Sequence, residues 1–325
     1  MTQRCRYIDD FGIGIRRVRR GRAFSYVDAK GHAITSPRVL ARIKALAIPP
    51  AWKDVWICPS PRGHIQATGR DARGRKQYRY HEDFRRARDE TKFHRMIAFA
   101  DALPKIRARV DEDLRRKRND RDKVLATVVR LLEESLIRVG HEEYRRKNGS
   151  YGLTTLTTRH VDVRGSTMRF HFRGKSGRMR DVDVHDPELA RVLSSIMDLP
   201  GEKLFQYEDG GKLRTVEAGD VNDYIRRVAG EDFSAKDFRT WAGTVHAAVA
   251  LADEGDVKAA IAKTAERLGN TAAVCKSCYV HPDVIAAFSD GTLGAALEHR
   301  RKSPLSQHEA AVVALLRKRT ARKAA

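Results

Sequence analysis

The sequence predicts an α+β protein: a small β-rich N-terminal lobe followed by a mainly α domain with an embedded β-hairpin. Three observations lead there. Short segments broken by Gly and Pro, such as FSYVDAKG and DVWICPSPRGHIQATG, fill the first 80 residues, and such punctuation bounds strands. Apolar residues spaced by three and four dominate after Tyr80, as in DKVLATVVRLLEESLIRVG, which is the helical period. Between residues 160 and 184 the period returns to two.

Within the first lobe, SPRVLARIKALAIPPAW holds a short helix that ends before Pro49 and Pro50. The segment RKQYRYH at 75–81 reads as a strand with Gln77 on one face and Tyr78 and Tyr80 on the other. The division into domains is expected at 1–90 and 91–325, without a long linker. Beyond it, Val124, Val128, Leu131, Leu132 and Ser135 form an inward helical stripe that delivers Arg138 to the end of the helix near Gly140.

Met168, Phe170 and Phe172 alternate with polar residues, as do Val182 and Val184, and Gly174, Lys175, Ser176 and Gly177 lie between the two runs. Lys175 is therefore expected at a hairpin tip. A loop marked by Pro200, Gly201, Gly210 and Gly211 follows, and then helices in VNDYIRRVA, KDFRTWAGTVHAAVALA and DVKAAIAKTAERLGN. His246 sits in an apolar helical setting and reads as structural. Residues 300–325 contain eight Lys or Arg and one acidic residue, a tail expected to be helical to about Lys318 and frayed beyond it.

The chain has 325 residues and a formal net charge of +22, with 41% hydrophobic residues. It can bury a core, so a disordered basic tail is excluded as the whole answer. Nucleic acid is the partner such a charge points to, because a basic footprint on phosphates releases counterions. Residues 1–95 hold 23 Lys or Arg against 9 Asp or Glu, which makes this segment the first candidate clamp on nucleic acid. No apolar run is long enough to span a membrane and the start lacks a secretory pattern, so an intracellular place is expected. Cys5, Cys58, Cys275 and Cys278 read as free thiols, the single CxxC being short of ligands for zinc. No HExxH, phosphate-binding loop or acidic metal cluster is present in the sequence, so metal-free chemistry is expected.

Four blocks carry a resemblance. SLIRVG around Arg138, FRGKSG around Lys175, KDFRTWAG around Arg239 and RLGNTAAVCKSCYVHP ending on Tyr279 resemble, in order, the catalytic blocks of type IB DNA topoisomerases, in particular the poxvirus-like form found in bacteria. GRDARGRKQYRYH resembles the DNA-contact segment of the same family. The resemblance implies a monomeric, two-lobed clamp of the tyrosine recombinase and topoisomerase IB fold, closing on duplex DNA. It implies single-strand cleavage through a 3′-phosphotyrosine, religation without ATP, and no cofactor or metal. The implied catalytic residues are Arg138, Lys175, Arg239, Asn270 and Tyr279, with Tyr279 the nucleophile and Lys175 the general acid. Gln77, Tyr78, Tyr80 and Tyr144 are the implied DNA contacts, and Arg75, Lys76 and Lys236 can meet phosphates. A cytoplasmic, nucleoid-associated location follows.

Asn270 departs from the poxvirus form, which has histidine there; an amide can orient a phosphate but cannot titrate. Two other classes compete. A tyrosine recombinase shares the covalent chemistry, yet usually has histidine three residues before the second arginine, where this chain has Lys236. An architectural DNA-binding protein would keep the grip and lack cleavage.

Overall fold

Five antiparallel strands in the order β2-β1-β3-β4-β5 make up the N-terminal sheet: β1 (Ile15–Arg20), β2 (Ala23–Val27), β3 (Lys53–Ile57), β4 (Ile65–Arg70) and β5 (Lys76–Tyr80). The computed structural model describes residues 5–10, 12–21, 23–72, 74–300 and 302–324. Between β2 and β3 lies helix α1 (Pro37–Ala45), which starts on a proline and ends ahead of Pro49. Its Ile43 packs with Ile15, Val55, Ile57 and Ala67 to form the sheet's core. The chain divides into two units, Met1–His94 and Arg95–Ala325, and the division falls within α2 (Glu82–Leu114).

In the second unit α3 (Arg121–Ser135) is capped by Asp120, whose side chain accepts from the Lys123 amide. The expected stripe is buried, but so are Leu125, Ala126, Thr127 and Val129; α3 is covered on nearly every side rather than on one face. It stops because Leu136 turns left-handed at φ 53°. After α4 (Glu142–Asn148) come three antiparallel strands in the order β6-β7-β8, β6 (Val161–Arg164), β7 (Thr167–Arg173) and β8 (Met179–His185). Met168, Phe170 and Phe172 point into the core as their alternation requires. The β7–β8 turn has Ser176 and Gly177 at positive φ, and Lys175 stands exposed in it.

Helix α5 (Pro187–Met197) leads to a region that reads as a loop from sequence and is in fact a hairpin, β9 (Gln206–Asp209) and β10 (Lys212–Thr215). Asp209 pairs with Lys212 across Gly210 and Gly211, both at positive φ, the conformation a two-residue turn needs. Helices α6 (Ala218–Ala229), α7 (Ala235–Glu254), α8 (Val257–Leu268), α9 (Ala272–Cys278), α10 (Pro282–Ser289), α11 (Thr292–Glu298) and α12 (Gln307–Ala324) complete the unit.

The basic tail does not fray after Lys318. It is α12, with Ala310, Ala311, Val312, Val313, Leu315 and Leu316 buried. Glu309 anchors it, accepting from Arg107 at 2.8 and 3.0 Å and from the Trp241 indole at 3.0 Å. Among the described residues no helix is long and apolar enough to cross a membrane.

Candidate active site

Tyr279 caps the C-terminus of α9, a helix started by Thr271, whose hydroxyl accepts from the Val274 amide. Its main chain is tied to α7: the Thr244 hydroxyl donates to the Tyr279 carbonyl at 2.9 Å and accepts from the His281 amide at 3.0 Å. Gly243 permits this approach, since a Cβ there would lie 2.9 Å from the Tyr279 Cβ. Tyr279 packs against the apolar cluster that holds Leu136, Leu268, Cys275 and Val280. Cys275 is buried and Cys278 exposed, and neither is part of a disulfide. His281 caps α10 through its Nδ1.

The C-terminal end of α8 gathers the arginines. The last carbonyls of a helix lack partners within it and carry the negative end of its dipole. Here Leu268 O accepts from Arg239 Nη2 at 2.8 Å, and Gly269 O lies 3.5 Å from Arg138 Nη2. The carbonyls of Glu266 and Arg267 each accept from Arg180 at 3.2 Å. Gly269 takes the left-handed conformation that ends α8 (φ 62°) and turns the chain to Asn270.

Arg138 reaches this point from the segment after α3 and donates to the Asn270 Oδ1. A guanidinium can only donate, so this contact fixes which end of the amide is which. Asn270 Nδ2 is left buried without a partner. Arg239, on the second turn of α7, is only 3% exposed; its Nε and Nη1 are likewise buried and unpartnered. Each such donor costs about 1–3 kcal/mol, a cost a fold bears where an anion is to be received.

The Arg239 guanidinium carbon lies 5.4 Å from the Tyr279 ring centre. Burial pushes the Tyr279 phenol up, but the charges of Arg239, Arg138 and Lys175 outweigh it and hold the pKa below the ordinary value. For Arg239, burial and then the Arg138 charge lower the pKa, though a guanidinium stays protonated at neutral pH. Arg138, Arg239, Asn270 and Tyr279 are thus brought together, and Lys175 lies within electrostatic reach of the phenol.

Residues 81–288 match the family model of the eukaryotic DNA topoisomerase I catalytic core, and residues 23–71 that of the bacterial DNA topoisomerase IB N-terminal domain. The chain is 31% identical over 310 residues to DNA topoisomerase 1B of Acanthamoeba polyphaga mimivirus, covering 90% of this chain and 92% of the relative. It belongs to the type IB DNA topoisomerases. To DNA topoisomerase 1B of vaccinia virus (strain Copenhagen) it is 22% identical over 237 residues, covering 68% and 72% of the two chains. Among solved structures, a XerH site-specific recombinase bound to a palindromic difH substrate in a post-cleavage complex aligns with a TM-score of 0.40 and 14% identity, over 59% of this chain and 51% of that one.

The residues expected to touch DNA fall in both units of this topoisomerase. In the first, Tyr78 and Tyr80 stack with ring centres 5.8 Å apart on the outer face of the edge strand β5, and both are exposed. Gln77 faces the other way and donates to Asp71 at 2.9 Å. Arg75 also pairs with Asp71, and Lys76 with Asp10 at 2.6 Å. In the second unit Tyr144 stands 60% exposed on α4, and Lys236 is exposed in the first turn of α7.

Sequence reading missed Arg180. It occupies the inward register of β8, paired across from Phe172, where alternation calls for an apolar residue. That mismatch was the available signal.

Proposed function

We propose that this topoisomerase relaxes supercoiled duplex DNA by cutting one strand with Tyr279 and resealing it, without ATP. The observation that carries the assignment of roles is the set of buried, unpartnered donors on Arg239 and Asn270 beside a phenol of lowered pKa.

In the forward step the Tyr279 oxygen attacks the scissile phosphorus and forms an O–P bond while the bond to the 5′ oxygen breaks. The phenol proton leaves to solvent. Arg138 and Arg239 hold the nonbridging oxygens as negative charge concentrates on them, and Asn270 Nδ2 donates a further hydrogen bond. Lys175, from the hairpin tip, gives its proton to the departing 5′ oxygen. Resealing runs the same parts backward: the 5′-hydroxyl attacks, returns its proton to Lys175, and Tyr279 departs. The phosphodiester energy is kept in the tyrosyl ester, so the cycle needs no nucleotide.

Tyr78, Tyr80, Gln77, Tyr144, Arg75, Lys76 and Lys236 would bind the duplex, with Asp71 and Asp10 giving up their basic partners to phosphates. A monomer closing on DNA, in a nucleoid-associated location, completes the reading. Plasmid relaxation in EDTA without ATP tests it: relaxation of both positive and negative supercoils, lost in Tyr279→Phe, is expected. Site-paired strand exchange would instead indicate a recombinase, and binding without relaxation an architectural protein.

A further inference from the structure

Arg180 is out of place for an ordinary strand residue. Its neighbours on the same face of β8, Val182 and Val184, cover the core, and its cross-strand partner is Phe172. Its guanidinium leaves the hairpin to meet the Glu266 and Arg267 carbonyls, the nearest thing to a counter-charge that the end of α8 offers. Burial, and then repulsion from Arg138, lower its pKa, so the cation is held there against an unfavourable field.

Two glycines make room for this side chain. A Cβ on Gly174, at the base of the Lys175 turn, would lie 2.9 Å from the Arg180 Cγ. A Cβ on Gly269, the residue before Asn270, would lie 2.3 Å from the Arg180 Nη1. The side chain therefore runs from the hairpin tip to the loop that carries Asn270. Among the described residues no other hydrogen bond joins the segment 174–180 to α8.

We propose that Arg180 is a positioning residue for leaving-group protonation: it pins the β7–β8 hairpin to the end of α8 and thereby sets where Lys175 delivers its proton. The inference rests on the general-acid role given to Lys175 above. A guanidinium suits the task because its fork of donors spans two successive carbonyls, which an ammonium cannot do with the same rigidity. Without the pin, Lys175 remains present on an exposed turn, but its time in reach of the 5′ oxygen falls.

The test is single-turnover cleavage of two duplexes, one with an ordinary scissile phosphodiester and one with sulfur replacing the bridging 5′ oxygen. A thiolate leaves without needing a proton, so the second substrate bypasses general-acid catalysis. The variants are Arg180→Met, which keeps the aliphatic stem packed on Phe172 and loses the fork, Arg180→Lys, Lys175→Ala, and the double variant Lys175→Ala/Arg180→Met. Arg180→Met is expected to cleave the ordinary substrate slower by about tenfold or more, inside the roughly 10²–10⁴ that a general acid supplies. On the sulfur substrate it is expected to regain most of that rate. Arg180→Lys should fall between, and the double variant should be no slower than Lys175→Ala, since one function has been removed twice.

Equal slowing of Arg180→Met on both substrates would overturn the proposal and make Arg180 a phosphate contact or a part of the general scaffold. An unchanged rate would overturn it as well. Lys175→Ala separates the two levels of the argument: if it is not rescued by sulfur, the general-acid reading itself fails and the inference falls with it. If Arg180→Met does not fold, Arg180→Lys carries the same comparison, with selective slowing on the phosphodiester as the supporting result and equal rates on both substrates as the contrary one.

Discussion

Arg239 donates from its Nη2 to the Leu268 carbonyl at 2.8 Å and faces the Tyr279 phenol, while its Nε and Nη1 are buried without a hydrogen-bond partner. The helix end thus orients the guanidinium without using up its donors. Among the described residues no carboxylate pairs with Arg239, so in the proposed role it has no ion pair to break on meeting phosphate.

Removing this donor face should slow chemistry more than binding. Arg239→Ala is expected to lower the single-turnover cleavage rate by about 10²–10³ or more, the range for losing a preorganised donor. DNA affinity, measured on an uncleavable duplex, should change far less. A matched loss of affinity and rate would mean that Arg239 binds the ground state and the transition state alike.

Asn270 should behave as a donor of fixed orientation. Asn270→Asp replaces the unpartnered N–H with an oxygen and adds negative charge beside the phosphate, so it is expected to cleave more slowly than Asn270→Ala. Asn270→His retains a donor and should exceed both. Single-turnover rates check the order, and an aspartate variant as fast as the native protein would remove Asn270 from phosphate contact.

The Tyr279 phenol should ionise below the ordinary value of about 10. Burial opposes this, and the charges of Arg239, Arg138 and Lys175 enforce it. The ultraviolet phenolate titration, taken as the difference between the native protein and Tyr279→Phe, should show the depressed midpoint. It should move upward in Arg138→Ala. A midpoint at or above the ordinary value would show that burial prevails.

A second pH effect concerns stability. Burial, with the Asp186 and then the Glu133 charges, pushes the Glu134 carboxyl up to about 7 from 4.5. The folded state therefore binds the proton more tightly, and the contribution is intact below pH 4.5 and lost as pH rises through 7. Glu134→Gln, which keeps the neutral shape, is expected to stabilise the protein at pH 8 by about 1–2 kcal/mol after allowance for partial exposure. Near pH 4 the two proteins should unfold at the same temperature, as calorimetry will show.

Glu309 should prove structural for the catalytic unit. It joins Arg107 of α2 to Trp241, two residues from Arg239 on α7. Glu309→Ala leaves a half-buried guanidinium without one of its two carboxylates and is expected to cost about 3 kcal/mol or more. Chemical denaturation checks this; an unchanged midpoint would mean that α12 is held by its apolar face alone.

How far the sequence spoke depended on the kind of signal. The β7–β8 hairpin was legible because Met168, Phe170 and Phe172 alternate strictly and Gly-rich residues part the two runs. The β9–β10 hairpin was not, although Gly210-Gly211 is a turn pair, because its strands are four residues each and β10 is exposed throughout. Helix α12 was legible to about Lys318, and only its continuation to Ala324 was missed, because the basic run that ends it reads as a frayed terminus. The roles proposed for the four blocks came from family resemblance. Periodicity cannot show that Arg138 and Asn270, 132 residues apart, share a hydrogen bond. Arg180 required the register of β8, and its role was invisible until the end of α8 was seen beside it.

The central claim is covalent chemistry at Tyr279, and mapping the adduct tests it most directly. A duplex whose cleaved strand loses a short 5′-hydroxyl fragment traps the intermediate; denaturation, proteolysis and mass spectrometry then locate the linkage. A 3′-phosphate ester on Tyr279, formed in EDTA without ATP and absent from Tyr279→Phe, is the expected result. An adduct on another residue, or a Tyr279→Phe protein that still becomes covalently attached to DNA, would contradict the account.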